Sequence, residues 1–133
     1  MRKSIAAVLL ALAAITGSVT PASAATETTA AGCSTDMKAQ ADDGITVWVY
    51  YTTFSGECYV DRVLADRRLR NMYGHFNMFG PDGFYKDSVT KMWTTSDGYN
   101  EYPRFKTHPG DLWCAKFYDG NNNPVTRAVC VTV

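Results

Sequence analysis

The feature that most constrains this chain is its set of four cysteines, Cys33, Cys58, Cys114 and Cys130. An even number of cysteines in a short chain that also carries an export signal indicates disulfides, because thiols stay oxidised outside the cytosol. Zinc ligation is the alternative. The intervals of 25, 56 and 16 positions include no C-x-x-C pair, and His75 and His108 lack ligand spacing. We therefore predict disulfides, and no metal or other cofactor.

The export signal occupies residues 1–24. Arg2 and Lys3 supply a positive start, Ile5–Val19 is apolar, and Ala22-Ser23-Ala24 is a small-residue cleavage motif. The apolar stretch spans roughly fifteen residues, whereas a membrane-spanning helix needs about 20. We expect a signal peptide that is removed, a secreted protein and no membrane insertion.

The remainder is predicted to be a disordered Thr/Ala-rich tail over residues 25–32 and one domain over residues 33–133. The whole chain has 13 Lys+Arg and 13 Asp+Glu. Removing the leader removes two basic residues and no acidic one, so the net charge becomes about −2, which argues against a nucleic-acid partner. An extracellular protein or polymer is the expected kind of partner.

Four cysteines allow three pairings. We favour Cys33–Cys58 with Cys114–Cys130, because pairing near neighbours demands least of the topology, although the sequence alone leaves the other two pairings open. Cys114 and Cys130 are equidistant from Asn122, so a symmetric hairpin places them opposite each other. In that register the two cysteines share the more polar face, and the apolar face consists of Trp113, Ala115, Phe117, Val129, Val131 and Val133.

Composition predicts an all-β fold. After the leader the chain has only three leucines and one isoleucine, against nine valines, thirteen threonines and seventeen aromatic residues. β-Branched and aromatic side chains suit strands, and the leucine or alanine faces of a helical domain are absent. Short strands with frequent turns indicate a small antiparallel β-sandwich, immunoglobulin-like and stapled by disulfides. A small closed barrel is the alternative.

Period-two alternation locates most of the strands. Turns are predicted at Ser55-Gly56, at Asp66-Arg67-Arg68 and at Gly80-Pro81-Asp82-Gly83. Two short strands are expected between Phe84 and Tyr102. The other predicted strands are Ile45–Thr52, Glu57–Ala65, Met72–Phe79, Leu112–Tyr118 and Val125–Val133. For Glu57–Ala65 a short helix is the alternative, since Val60, Val63 and Leu64 would also suit one.

A resemblance rests on motifs spread over about the last sixty residues. The motifs are Tyr73-Gly74-His75-Phe76, Gly80-Pro81-Asp82-Gly83, Trp93, Trp113-Cys114-Ala115 and Cys130-Val131-Thr132-Val133. With them the chain resembles a group of small secreted actinobacterial β-sandwich proteins of unknown function. The resemblance implies export and a sandwich fold. It implies no activity and no site residues.

Two polar sets are candidate sites of chemistry. Asp119–Asn123 has the D-x-N-x-N spacing that begins a calcium loop, but Pro124 replaces the required glycine and Cys130 the required glutamate. A polar hairpin loop is the favoured interpretation. His75 could act as a general base, but no serine or cysteine nucleophile motif accompanies it.

Paired carboxylates are a third possibility, since Glu57 with Asp61 or Glu101 could serve a hydrolase at a separation that sequence spacing does not reveal. None of these sets amounts to a catalytic signature. We therefore assign no catalytic residue.

Two further groups are candidates for binding. Four arginines within nine residues could contact an anionic surface, although alternating charges around a turn favour a solvated edge; they are Arg62, Arg67, Arg68 and Arg70. Trp48, Tyr50 and Trp93 could stack on sugars or contact a protein partner if they point outward, and otherwise belong to the core.

Three functional hypotheses follow. The first is a secreted non-enzymatic binding or structural module that acts through a sheet face or loop end. The second is an inhibitor of secreted proteases, with the proline-bounded segment Pro103–Pro109 as its candidate loop. The third is a small secreted hydrolase.

Overall fold

The computed structural model describes residues 33–133. The predicted signal peptide, residues 1–24, and the predicted tail, residues 25–32, lie outside the described residues and stay predictions. Across residues 33–133, no helix has the length and hydropathy that crossing a membrane requires.

The described chain forms two antiparallel sheets that pack face to face. Sheet A has the order β1-β2-β3-β7, with β8 also pairing with β3, and sheet B has the order β10-β9-β4-β5, with β6 also pairing with β4. The strands are β1 (Met37–Asp42), β2 (Ile45–Phe54), β3 (Glu57–Arg67), β4 (Met72–Phe79), β5 (Tyr85–Asp87), β6 (Lys91–Trp93), β7 (Gly98–Glu101), β8 (Phe105–Lys106), β9 (Leu112–Asp119) and β10 (Val129–Thr132). The predicted β-sandwich is confirmed, and the barrel alternative is not.

The core lies between the sheets and follows from the alternation of their longest strands. In β2, Ile45, Val47 and Val49 are each at most 1% exposed, and they belong to the same buried cluster as the aromatic residues Phe76, Trp93, Trp113 and Phe117 of sheet B. Phe76 contacts Trp93 and Phe117 edge to face, both with ring centres 5.0 Å apart. Burying each such side chain stabilises the fold by about 1.5 to 3 kcal/mol.

Both disulfides form with the favoured pairing, Cys33–Cys58 and Cys114–Cys130. Cys114 lies opposite Cys130 in the β9–β10 register, as the symmetric hairpin predicted. The face carrying Trp113 is buried as expected, and the Cys114–Cys130 bridge lies on the other side of sheet B.

Two predicted turns are confirmed, at Ser55-Gly56 and at residues 80–83, where Pro81–Gly83 forms a single 3-10 turn. The turn predicted at Asp66-Arg67-Arg68 is wrong. Strand β3 continues through Arg67, and the Arg68 N–H still donates to the Gly44 carbonyl oxygen at 3.1 Å. Asp66 and Arg67 remain in the strand because both find partners within the fold, and the chain turns only after them.

Two further corrections concern short strands. The segment between Phe84 and Tyr102 holds three strands, β5, β6 and β7, where two were expected. Strand β1 was not predicted at all. Every one of its six residues is exposed, so neither face of the strand is buried.

Candidate functional site

The outer face of sheet A brings together two of the three aromatic candidates, Trp48 and Tyr50, with two of the four arginines, Arg62 and Arg68. Because Val47 and Val49 point into the core, Trp48 and Tyr50 of β2 point away from it. Opposite them in β3 lie Leu64 and Arg62, respectively. We call this surface the arginine-aromatic face, formed by Trp48, Tyr50, Arg62, Leu64, Asp66 and Arg68.

Guanidinium groups cover the aromatic rings of this face. Arg62 Cζ lies 3.8 Å from the centre of the Tyr50 ring, and Arg68 Cζ lies 5.9 Å from the centre of the Trp48 ring. A cation over a ring is attracted to its negative face, and this attraction holds the arginine side chain against the sheet. The N–H donors of a guanidinium lie in its own plane, where the ring beneath it offers no acceptor. These donors therefore stay available to other groups.

Asp66 organises the Trp48 end of the face. Its carboxylate accepts a hydrogen bond from Trp48 Nε1 at 3.2 Å and two from Arg68, both at 2.9 Å. The bidentate ion pair fixes Arg68 and compensates its charge. Arg62, in contrast, has no carboxylate within 4.0 Å among residues 33–133. The unpaired cation of the face is therefore Arg62.

An open groove of about 400 Å³ runs beside these residues. Its far wall is the loop before β7, which supplies the hydroxyls of Thr95 and Ser96, and β7 adds the amide of Asn100. The carboxylate of Asp97 is already engaged, since it accepts the Thr94 N–H at 2.8 Å, and this bond lowers the pKa of Asp97. The groove thus offers the unpaired cation of Arg62, neutral hydrogen-bonding groups and the apolar side chain of Leu64.

Comparison with other proteins gives no further lead. The chain matches no known protein family, no curated protein and no solved structure. The resemblance to small secreted actinobacterial proteins stays an expectation. What this face does must be inferred from its own chemistry.

The third aromatic candidate, Trp93, belongs to the core. It is 3% exposed, and its Nε1 donates to the Gly74 carbonyl oxygen at 3.0 Å. Two of the four arginines also fall outside the face. Arg67 is buried between the sheets, and Arg70 lies exposed in the loop after β3.

The catalytic candidates do not converge. His75 stacks on Tyr118 on the outer face of sheet B, with ring centres 5.3 Å apart. Glu57 accepts hydrogen bonds from Lys106 and Tyr59, which lower the pKa of Glu57. Glu101 accepts the hydroxyl of Tyr99 at 2.5 Å. Each group is engaged by a different neighbour, and the hydrolase hypothesis gains no support from their arrangement.

Part of the candidate inhibitor loop, Pro103–Pro109, pairs with a strand of sheet A. Phe105 and Lys106 form β8 and pair with β3, and Phe105 packs against Phe84 and Trp113 with ring centres 6.1 and 6.3 Å away. Thr107 is buried, and its N–H donates to the Cys58 carbonyl oxygen at 2.9 Å. Backbone pairing and aromatic packing therefore hold the middle of this segment against the fold.

The polar groups of the calcium-like loop, Asp119–Asn123, form hydrogen bonds with one another. The Asp119 carboxylate accepts the N–H groups of Asn121 and Asn123 at 2.8 and 2.9 Å, and these bonds lower the pKa of Asp119. Residues 33–133 hold no cluster of three or more potential metal ligands. The arrangement is that of a polar hairpin loop, as favoured from the sequence.

Proposed function

We propose that this chain is an exported, non-enzymatic binding module that holds an acidic polysaccharide outside the cell on its arginine-aromatic face. Export is supported by the leader motif of residues 1–24 and by two disulfides, which persist in oxidising surroundings. The acidic ligand is supported by one observation above all: Arg62 sits over Tyr50 with no carboxylate partner in the described chain.

The chemistry of the groove favours a sugar over a simple anion. The apolar side chain of Leu64 can pack against the C–H face of a pyranose ring, while the hydroxyl groups of Thr95 and Ser96 and the amide of Asn100 can bond to sugar hydroxyls. Arg62 would take the carboxylate of a uronic acid through two parallel hydrogen bonds. An open groove, unlike a closed pocket, admits an internal segment of a polymer.

The experiment measures binding of polygalacturonate, with neutral dextran as the comparison, by isothermal titration calorimetry. We expect binding of the acidic polymer only, weakened about tenfold or more by Arg62→Gln, since a charge-assisted bond contributes about 1.5 to 3 kcal/mol. Trp48→Phe tests the contribution of the indole and its hydrogen bond to Asp66. The matched control is Lys86→Gln, which removes one positive charge from exposed β5 on sheet B.

Three outcomes are informative. Equal affinity of wild type and Arg62→Gln would refute the assignment of the site, and equal binding of dextran would refute the acidic ligand. Release of reducing ends from the polymer, abolished by Glu57→Gln or Glu101→Gln, would refute the non-enzymatic role and support the hydrolase hypothesis.

A further inference from the structure

The free edge of sheet A has unpaired backbone groups at a few defined positions. The Tyr51 N–H donates to the Asp36 carbonyl oxygen at 2.9 Å, which fixes the alternation of the β1–β2 ladder. Met37, Ala39 and Ala41 therefore direct their N–H and C=O groups away from β2. Those of Met37 are engaged by the Thr35 hydroxyl, at 3.0 and 3.4 Å. Ala39 has no such partner within the described residues.

Ala41 completes the open part of the edge. Its carbonyl oxygen receives only a 3.4 Å contact from the Gln40 side chain, and its N–H has no partner within residues 33–133. Two adjacent outward positions, Ala39 and Ala41, thus offer two donors and two acceptors. An antiparallel strand placed here could form four hydrogen bonds without disturbing any bond inside the fold.

The sequence of β1 is complementary to itself in the register that uses these groups. If Gln40 of one copy lies opposite Gln40 of a second copy, then Ala39 of each copy lies opposite Ala41 of the other. In the same register Lys38 of each copy lies opposite Asp42 of the other. Lys38 and Asp42 are exposed, and each also has a partner in its own chain: Lys38 Nζ donates to the Thr132 carbonyl oxygen at 3.2 Å, and Asp42 pairs with exposed Arg127 at 3.3 Å. The two alanines present only methyl groups on the outer side, so a second strand meets no bulky side chain there.

Strand β1 is also the longest strand at a sheet edge in the described chain. The other edge strands, β5, β6, β7, β8 and β10, have between two and four residues, whereas β1 has six. It contains no proline, the residue that would remove a donor from the edge.

We propose that two copies of this chain associate through antiparallel pairing of β1, with Gln40 facing Gln40 across a twofold axis. The two copies of sheet A then form one continuous sheet. Such an axis is perpendicular to the sheet, so both arginine-aromatic faces lie on the same side. The inference goes beyond the proposed function and does not depend on it, although a dimer would present two copies of that face to one polymer.

The test uses the protein as its expression host processes it, without any ligand, in sedimentation equilibrium over a concentration series. We expect a reversible dimer of the weak class that small interfaces form. Ala39→Pro removes an outward N–H and leaves the β1–β2 bonds in place, so it should abolish the dimer while circular dichroism stays unchanged.

Charge reversal tests the register. Lys38→Asp and Asp42→Lys should each weaken self-association about tenfold, because like charges would then lie opposite each other twice. An equimolar mixture of the two variants should dimerise again, since every facing pair then has opposite charge. Lys86→Asp on β5 is the matched control and should leave the dimer unchanged.

A wild type that stays monomeric at millimolar concentration would overturn the proposal. A dimer that persists in folded Ala39→Pro would overturn it too, because such a dimer must use another surface. Failure of the mixed variants to associate would refute the register with Gln40 on the axis.

Discussion

The guanidinium of Arg67 lies over the ring of Phe117, with Arg67 Cζ 4.5 Å from the ring centre. The residue is 3% exposed, its Nε donates to the Arg70 carbonyl oxygen at 3.4 Å, and its Nη1 has no hydrogen-bond partner in the described chain. Burial lowers the pKa of Arg67. Arg67 therefore stabilises the sandwich by filling space beside Phe117, and the cost of burying its charge without a carboxylate partner offsets the attraction between the guanidinium and the ring.

Replacing Arg67 by an apolar side chain of similar length should be tolerated. We expect Arg67→Met to change the free energy of unfolding by less than about 1 kcal/mol, because packing is kept and an unpaired buried donor is removed. Arg67→Ala, which leaves a cavity, should lose about 2 to 3 kcal/mol. Urea denaturation measures both. Equal losses in the two variants would show that the charge itself stabilises the fold.

Removing the buried hydroxyl of Tyr51 should not weaken the protein. That hydroxyl has no hydrogen-bond partner within residues 33–133, and burial raises the pKa of Tyr51 to about 12. We expect Tyr51→Phe to keep or raise the free energy of unfolding at pH 8, by up to about 1 kcal/mol. Tyr85→Phe at an exposed position is the control, and a loss confined to Tyr51→Phe would contradict the prediction.

The hydroxyl of Tyr51 also makes the free energy of unfolding decrease at alkaline pH. An unfolded tyrosine loses its proton near pH 10, whereas folded Tyr51 keeps its proton up to about pH 12. Between these values the folded state binds more protons than the unfolded state, so stability decreases as pH rises. Urea denaturation between pH 9 and pH 11 should show a smaller loss for Tyr51→Phe than for wild type. Part of the loss should remain, since burial also raises the pKa of Tyr99.

Removing either disulfide should cost a similar amount of stability. The bridges close loops with sequence separations of 25 for Cys33–Cys58 and 16 for Cys114–Cys130. The chain-entropy model gives losses of about 3.5 and about 3 kcal/mol for the paired serine substitutions. Thermal unfolding followed by circular dichroism compares the two double variants. A much larger loss at Cys33–Cys58 would reveal a packing role beyond loop closure, because that bridge borders the core.

The hairpin loop after β9 should become less stable in acid. The Asp119 carboxylate has a lowered pKa because it accepts the loop N–H groups, so its contribution is present above the pKa of an unfolded aspartate, about 4. That contribution is lost as pH falls through the lower folded value. Asp119→Ala should be less stable than wild type at neutral pH and should lose less on acidification. Hydrogen exchange of the Asn121 and Asn123 amides measures this directly, with Asp36→Asn as control.

The sequence predicted the strands whose apolar side chains enter the core at every second position, and it missed strand β1, which has no buried face. Alternation located β2, β4 and β9, because their core-forming side chains recur at every second position, even where a neighbour such as Asn77 or Cys114 is also buried. Strand β1 contains methionine, lysine, alanine and glutamine, which favour helix by intrinsic propensity. It is extended because it pairs with β2, and the local signal for that pairing is the two-residue turn Asp43-Gly44, where both residues have positive φ, 50° and 77°.

The candidate site depended on a register that the sequence could not supply. At the β2–β3 turn Phe54 pairs with Glu57, and an unbroken hairpin would then place Asp61 opposite Tyr50. A bulge between Tyr50 and Tyr51 shifts the register by one residue, so Arg62 lies opposite Tyr50 instead. The contact between Arg62 and Tyr50 therefore exists only because of that irregularity.

Neither disulfide joins sheet A to sheet B. Cys114 and Cys130 lie in adjacent strands of one sheet, while Cys33 precedes β1 and bonds to Cys58 in β3 of the other. The spacing and crossing angle of the two layers are consequently decided by side-chain volume at their shared interior. Interior residues could be exchanged for others of equal total volume, and the layers could adjust to each other without straining a covalent bond.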